Sequence, residues 1–278
     1  MLRPLFLLTF LLTCLLPFAH AESRETAEGD FSHEECITCH QTTEPQLVAD
    51  WQQSVHAATE PVALCTSCHG RDHQGVAARS RRNDSCVDCH GGATSPVVHS
   101  YATSKHGIIM QLEQKNYDWN QPLREANYRT PGCAYCHLHS GNHLTAKAEA
   151  LKPAEADMDR ITGSCLDCHG ISYINRLNDN AVSMIEIARM KVREARQLVD
   201  EYANEHQAPA DAELTGLMQE TKKHLRNVYL GAFHQSPDYQ WWHGQPALDG
   251  DLLRIKGFIS NRQQNTGDGD KISEKPVR

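Results

Sequence analysis

"CTSCH", residues 65–69, sets two cysteines two residues apart with a histidine directly after the second. The arrangement returns as CITCH at 36–40, CVDCH at 86–90, CAYCH at 133–137 and CLDCH at 165–169. Together the five copies use ten of the 11 cysteines in the chain, and the one left over is Cys14. Whatever these units bind therefore dictates how the first two-thirds of the polypeptide is organised.

The N-terminus accounts for Cys14. Residues 1–21, MLRPLFLLTFLLTCLLPFAHA, carry one arginine and an apolar run, then close on Ala19-His20-Ala21, small residues at the positions a signal peptidase reads. This predicts an export signal, with cleavage removing Cys14. No later stretch reaches membrane-spanning length, so the mature chain is expected in the periplasm or displayed outside the cell. The formal net charge is −8 and no extended basic tract occurs, which argues against nucleic acid as a partner. The local run RSRR, with Arg79, Arg81 and Arg82, reads either as a solvated loop or as a docking patch.

Outside the cytoplasm, paired cysteines usually mean disulfides, but disulfides do not explain a histidine fixed after every second cysteine. Zinc would draw four ligands from pairs of such units, and five units pair badly. A thioredoxin-like redox motif needs a βαβ setting that the sequence lacks. Covalent haem explains every feature. The two thiols add to the two vinyl groups, and the adjacent imidazole falls beneath the ring to ligate iron. The expected cofactors are five covalently bound haem c groups. They would be held by Cys36 and Cys39, Cys65 and Cys68, Cys86 and Cys89, Cys133 and Cys136, and Cys165 and Cys168, with proximal ligands His40, His69, His90, His137 and His169. Aromatic residues make up 6% of the chain and the mean hydropathy is −0.56, poor material for a conventional core. The macrocycles would supply that core themselves.

Beyond the proximal ligands and His20 there are eleven further histidines, at 33, 56, 73, 99, 106, 139, 143, 206, 224, 234 and 243. A second imidazole on a haem iron closes it to substrate, whereas chemistry at the iron needs an open position. Local context favours His56 in WQQSVHA, His106 in YATSKHG, His143 in SGNH and His234 in GAFHQSPDYQWW as distal ligands. His73, His99 and His243 come next. His206 and His224 read as solvent-facing positions on helices, His33 as a surface residue, and His139 as exposed or bonded to a propionate. Eleven candidates for five places leave open whether one iron stays uncapped.

After the last motif the pattern changes. Ile185, Ala188, Val192, Ala195, Val199 and Tyr202 recur at alternating spacings of three and four, a narrow apolar seam on a long helix ended by Pro209. A second helix from about 211 to 233 repeats the pattern with Leu214, Met218, Thr221, Leu225, Val228 and Ala232. The pair reads as a hairpin burying its own seam, part of which would also serve a homo-oligomer interface. The expected fold is mainly α, a multihaem cytochrome c fold with little β. Residues 22–176 would wrap five haems in loops and short helices, and 177–260 would pack a helical hairpin and a distal-ligand segment against them. Residues 261–278, polar and glycine-containing, are expected to be a disordered tail.

CAYCHLHSGNH, TSKHG after a haem motif, and GAFHQSPDYQWWHG after two long helices resemble hydroxylamine oxidoreductase and its octahaem relatives. FHQSPD also resembles a distal-ligand segment of cytochrome c nitrite reductase. The resemblance spans roughly residues 36–258, with its motifs in the same order. It implies multi-electron chemistry on small nitrogen or sulfur oxyanions such as nitrite, hydroxylamine or sulfite. The haem on Cys36, Cys39 and His40 would be the open, catalytic one, and His56, His106, His143 and His234 would cap the other four. The chain also departs from the pattern. The lysine-ligated CxxCK of nitrite reductases is absent. Thr94 and Ser95 stand where an Asp-His pair reaches the active site of hydroxylamine oxidoreductases, and neither titrates near neutral pH. Asp72 and His73 are the candidate replacements, with Tyr117 and Tyr128 as candidate pocket residues. Two functions follow: a reductase with one open haem, or a relay in which every haem has two histidine ligands. In either, the expected partners are redox proteins, a quinol-linked donor or a terminal reductase.

Overall fold

The computed structural model describes residues 27–145 and 163–272, apart from 93, 123, 124, 126, 128 and 207–210. The export segment 1–21 and Tyr128 lie outside the described residues. The chain is mainly α. Among the described residues the only β pairing is an isolated antiparallel bridge, Asp30 with Asp72.

The haem-motif region is built from short helices, and those of the second, third and fourth motifs end at the motif histidine. The first motif lies on α1 (His33–Thr43), opened by a capping box in which Ser32 Oγ accepts from Glu35 N at 3.3 Å and Glu35 Oε2 accepts from Ser32 N at 2.7 Å. Next come α2 (Pro45–Gln53), α3 (Cys65–His69), α4 (Val76–Arg81), α5 (Asp84–His90), α6 (Pro96–Ala102), α7 (Lys105–Glu113) and α8 (Cys133–His137). Gly70 and Gly91 end α3 and α5 with φ of 76° and 88°, a left-handed turn that a side chain would resist. The chain therefore leaves these two motifs immediately after the histidine.

Few apolar residues are buried in this region. Met110, Tyr117 and Trp119 form one small cluster, with Ala78, Tyr101 and Tyr135 against it. Two arginines of the RSRR run reach this cluster. Arg81 Nη1 donates to the carbonyls of Trp119 and Asn120 at 2.9 and 2.8 Å, and the Arg82 guanidinium lies 5.9 Å from the Trp119 ring centre.

The C-terminal region holds three long helices where the sequence suggested two. α9 (Ile171–Glu205) starts directly after the last motif, so it runs across the boundary expected at 176. α10 (Ala212–Phe233) opens on Asp211, whose Oδ1 accepts from Glu213 N at 2.8 Å. The short α11 (Pro237–His243) leads into α12 (Gln245–Ile272), which packs on both α9 and α10. The seam positions Ile185, Ala188, Val192, Ala195 and Val199 are buried, as are Leu214, Thr221, Leu225, Val228 and Ala232. Leu248 and Ile255 of α12 complete the two apolar clusters.

Residues 261–272, read from composition as a disordered tail, instead continue α12. A helix already nucleated and packed extends at little cost, and Arg262 helps by stacking 5.2 Å from the Phe258 ring centre and pairing with Asp211 at 3.6 Å. Residues 273–278 lie outside the described residues.

Candidate haem-binding sites

All ten motif cysteines are free thiols. Burial raises the thiols of Cys36, Cys65, Cys68 and Cys165, and pushes Cys136 up to about 11. The Cys133 thiol donates to Cys86, which raises Cys133 and lowers Cys86. Among the described residues no group of three or more His, Cys, Asp or Glu side chains is arranged to hold a metal ion directly.

The thiols also order the motifs in space. Cys65 lies within electrostatic reach of Cys36, Cys68 of Cys86 and Cys89, Cys133 of Cys86, and Cys136 of Cys165 and Cys168. Each motif therefore neighbours the next one in the sequence.

Every motif histidine faces a second histidine from elsewhere in the chain. Ring centres lie 6.3 Å apart for His40 and His73, 6.0 Å for His69 and His143, and 6.2 Å for His90 and His56. His169 and His106 are 6.1 Å apart, and His137 and His234 6.4 Å. These separations test the fit of a haem iron. Two metal–nitrogen bonds of about 2 Å each, plus about 1 Å from each nitrogen to its ring centre, place two imidazoles about 6 Å apart. All five pairs meet that spacing. At these separations one metal ion fits between the two imidazoles of each pair.

Charge and hydrogen bonding agree with the spacing. Burial holds His56, His69 and His106 below the usual imidazole range and pushes His234 down to about 4, so each presents a neutral ring with a free lone pair. Several rings are oriented through Nδ1. His143 lies 2.7 Å from the Gly141 carbonyl and His69 3.3 Å from that of Val76, while His56 faces Thr145 Oγ1 at 3.2 Å and His234 faces Ser100 Oγ at 2.7 Å. An acceptor at Nδ1 fixes the tautomer that leaves Nε2 to the metal.

Two of the candidate catalytic residues, His40 and His73, are brought together. His73, read as a pocket residue over an open iron, sits opposite His40 at the spacing of the other four pairs. Its loop is pinned by Phe31 N donating to Arg71 O at 3.0 Å and His73 N donating to Gly29 O at 3.1 Å. Asp72 Oδ1 accepts from Gln74 N at 3.1 Å, a local turn contact. Tyr117 is buried and donates to Glu113 Oε2 at 3.2 Å.

Three histidines do structural work that the sequence did not reveal. His33 Nδ1 accepts from Cys65 N at 3.2 Å and so ties α1 to the second motif. His139 Nε2 lies 2.9 Å from Asp167 Oδ2, which also accepts from Tyr135, linking the fourth motif to the fifth. His224, expected to face solvent, pairs through Nδ1 with the fully buried Asp251 at 2.6 Å. His99 and His243 approach to 5.2 Å, with Tyr239 against both, which is closer than any of the five pairs.

Residues 40–150 match the protein family described as seven times multi-haem cytochrome CxxCH. Over 118 residues the chain is 31% identical to a probable nitrite reductase-hydroxylamine oxidoreductase fusion protein of Kuenenia stuttgartiensis, a match covering 37% of this chain and 14% of that protein. The matched part is thus about a seventh of the relative's length. A chain of the reducing HAO-like protein complex Kustc0457/Kustc0458 of Kuenenia stuttgartiensis superposes with a TM-score of 0.57 at 15% identity, covering 87% of each chain. A hypothetical multiheme protein superposes with a TM-score of 0.55 at 16% identity, covering 74% of this chain and 59% of that one.

Proposed function

We propose that this multihaem c-type cytochrome, related to hydroxylamine oxidoreductase and nitrite reductase, is an exported five-haem electron relay in which each iron is held between two histidines. The observation that carries the reading is His73 opposite His40, 6.3 Å away at the one place where an open iron was expected. The axial pairs would be His40 with His73, His69 with His143, His90 with His56, His137 with His234 and His169 with His106. Each attached haem supplies a one-electron Fe(III)/Fe(II) couple.

The residues serve that couple by holding it still. With both of its open positions taken by these imidazoles, a bound haem would offer an oxyanion no place and would serve electron transfer alone. Motif-to-motif adjacency from Cys36 to Cys168 supports an unbranched series with two ends. One end would take electrons from a quinol-linked donor, and the other would pass them to a terminal reductase or an extracellular acceptor. Reduction of nitrite, hydroxylamine or sulfite at the first haem, which the resemblance implies, would require His73 to leave His40.

The test is a spectrum of the oxidised and reduced protein before and after adding cyanide, nitrite and hydroxylamine. The relay reading expects low-spin iron throughout and no response. A high-spin ferric signal that shifts with added ligand would replace it with the reductase reading.

A further inference from the structure

The Nδ1 partners of the paired histidines differ in kind, and one of them is a side chain sealed inside the protein. Ser100 on α6 is fully buried, and its Oγ lies 2.7 Å from His234 Nδ1 and 3.0 Å from the Val97 carbonyl. A serine hydroxyl has one proton. A carbonyl can only accept, so that proton goes to Val97 O, and Oγ must accept from His234 Nδ1–H. His234 is thereby fixed as the tautomer whose bare Nε2 points away from Ser100, on the ring that faces His137 at 6.4 Å.

The backbone delivers His234 to this contact. It follows the last residue of α10, its N–H donates to Leu230 O at 3.0 Å, and Gln235 then turns the chain with φ of 53°. Thr103 provides an internal comparison. It lies one turn along, its Oγ1 donates to His99 O at 2.9 Å, and it meets the buried Ser236 Oγ at 2.8 Å, with no contact to an iron-facing imidazole. Ser100 and Thr103 both join the haem-motif region to the end of α10, but only Ser100 touches a paired histidine.

We propose that Ser100 is a positioning residue that sets the potential of the fourth haem by accepting the Nδ1 proton of His234. This rests on the relay reading, in which His137 and His234 share an iron. An acceptor at Nδ1 makes the imidazole a stronger donor and favours Fe(III), which lowers the potential. The analogous main-chain acceptors at His143 and His69 cannot be removed by substitution, whereas the buried Ser100 hydroxyl can.

The experiment compares the haem-loaded full chain with Ser100→Ala, Ser100→Thr and Thr103→Val, using intact mass for haem content and spectroelectrochemistry for the individual couples. Ser100→Ala should move one couple upward by about tenfold in its redox equilibrium, about 59 mV for one electron. Ser100→Thr should restore it, and Thr103→Val should lower thermal stability without moving any couple. Superposable titrations of Ser100→Ala and the parent overturn the proposal, as does an equal shift in Thr103→Val. If Ser100→Ala loses one haem that Thr103→Val retains, the lost acceptor is read directly; loss in both overturns it. Uptake of cyanide or nitrite by the parent protein would sink the relay reading separately and would leave a Ser100-dependent shift standing.

Discussion

Replacing His73 with alanine should convert one iron in five from closed to open. The His40–His73 separation of 6.3 Å falls inside the 6.0–6.4 Å range of the other pairs, so His73 has no less claim to an iron than His143 or His234 has. The substitution should not unfold its surroundings. His73 is half-buried, and the Phe31 edge contact at 5.7 Å is worth about 1 kcal/mol. The backbone bonds that pin the loop do not involve the imidazole. The assay is a cyanide titration of the oxidised protein followed by visible absorption and electron paramagnetic resonance. The parent should be silent. In His73→Ala about one-fifth of the low-spin intensity should become high-spin and respond to cyanide, and added imidazole should reverse it. Asp72→Asn should behave like the parent, because its carboxylate serves the turn at Gln74. A parent that already binds cyanide, or a His73→Ala protein with all its iron still low-spin, would refute the reasoning.

The ring planes divide the pairs further. Interplanar angles are 25°, 21° and 37° for the pairs of His40, His69 and His169, against 71° and 76° for those of His90 and His137. Paramagnetic resonance should therefore resolve two classes of low-spin iron, near-parallel and near-perpendicular, in a ratio of three to two. Gly107→Ala should cost roughly 3 kcal/mol in thermal unfolding, since a Cβ there would meet the Tyr101 carbonyl at 2.1 Å, well beyond what small core adjustments absorb. Asp251→Ala should lower stability by about 3 kcal/mol, because it strips His224 of a fully buried partner that Arg254 also holds. Chain produced without haem attachment should show hydrogen-exchange protection in α9, α10 and α12 and little in α1 to α8. Equal protection in both regions would contradict the small apolar core of the motif region.

The motifs were legible because thioether attachment is local: two cysteines and a histidine within five residues carry the chemistry wherever the chain goes. The two seams were legible for a similar reason, since Ile185 to Val199 and Leu214 to Ala232 declare their buried faces by spacing alone. Distal partners are not local. His73 comes from between the second and third motifs and faces the first, while His106, from between the third and fourth, faces the fifth. Nothing in RDHQG specifies which iron it would meet, and a resemblance that left the first haem open gave it a pocket role instead. The third helix escaped because its seam carries a charge. Leu248, Leu252, Ile255 and Ile259 keep the helical spacing, but Asp251, fully buried, interrupts the apolar pattern, and its partners are His224 across the bundle and Arg254 one turn on. His33 was missed because a histidine bonded to a backbone N–H leaves no trace in sequence spacing.

The distal pairings also bear on what holds the motif region together. Among the described residues the buried apolar side chains there amount to one small cluster and Val48, too little to repay the ordering of over a hundred residues. The C-terminal helices have their own seam and do not need the same help. An iron between two imidazoles joins segments that the sequence keeps apart: the loop after the first motif to α5, the loop after the fourth to α3, and the end of α10 to α8. Each such link acts as a cross-link that closes a long loop and brings the apolar faces of a macrocycle with it. The histidine pairs would then serve two ends with one set of atoms. They would keep the iron closed to small ligands, and they would supply the long-range connections that a chain poor in aromatic residues cannot make for itself. An open first iron would give up one of these connections, the one between α1, which has no buried residue of its own, and the His73 loop.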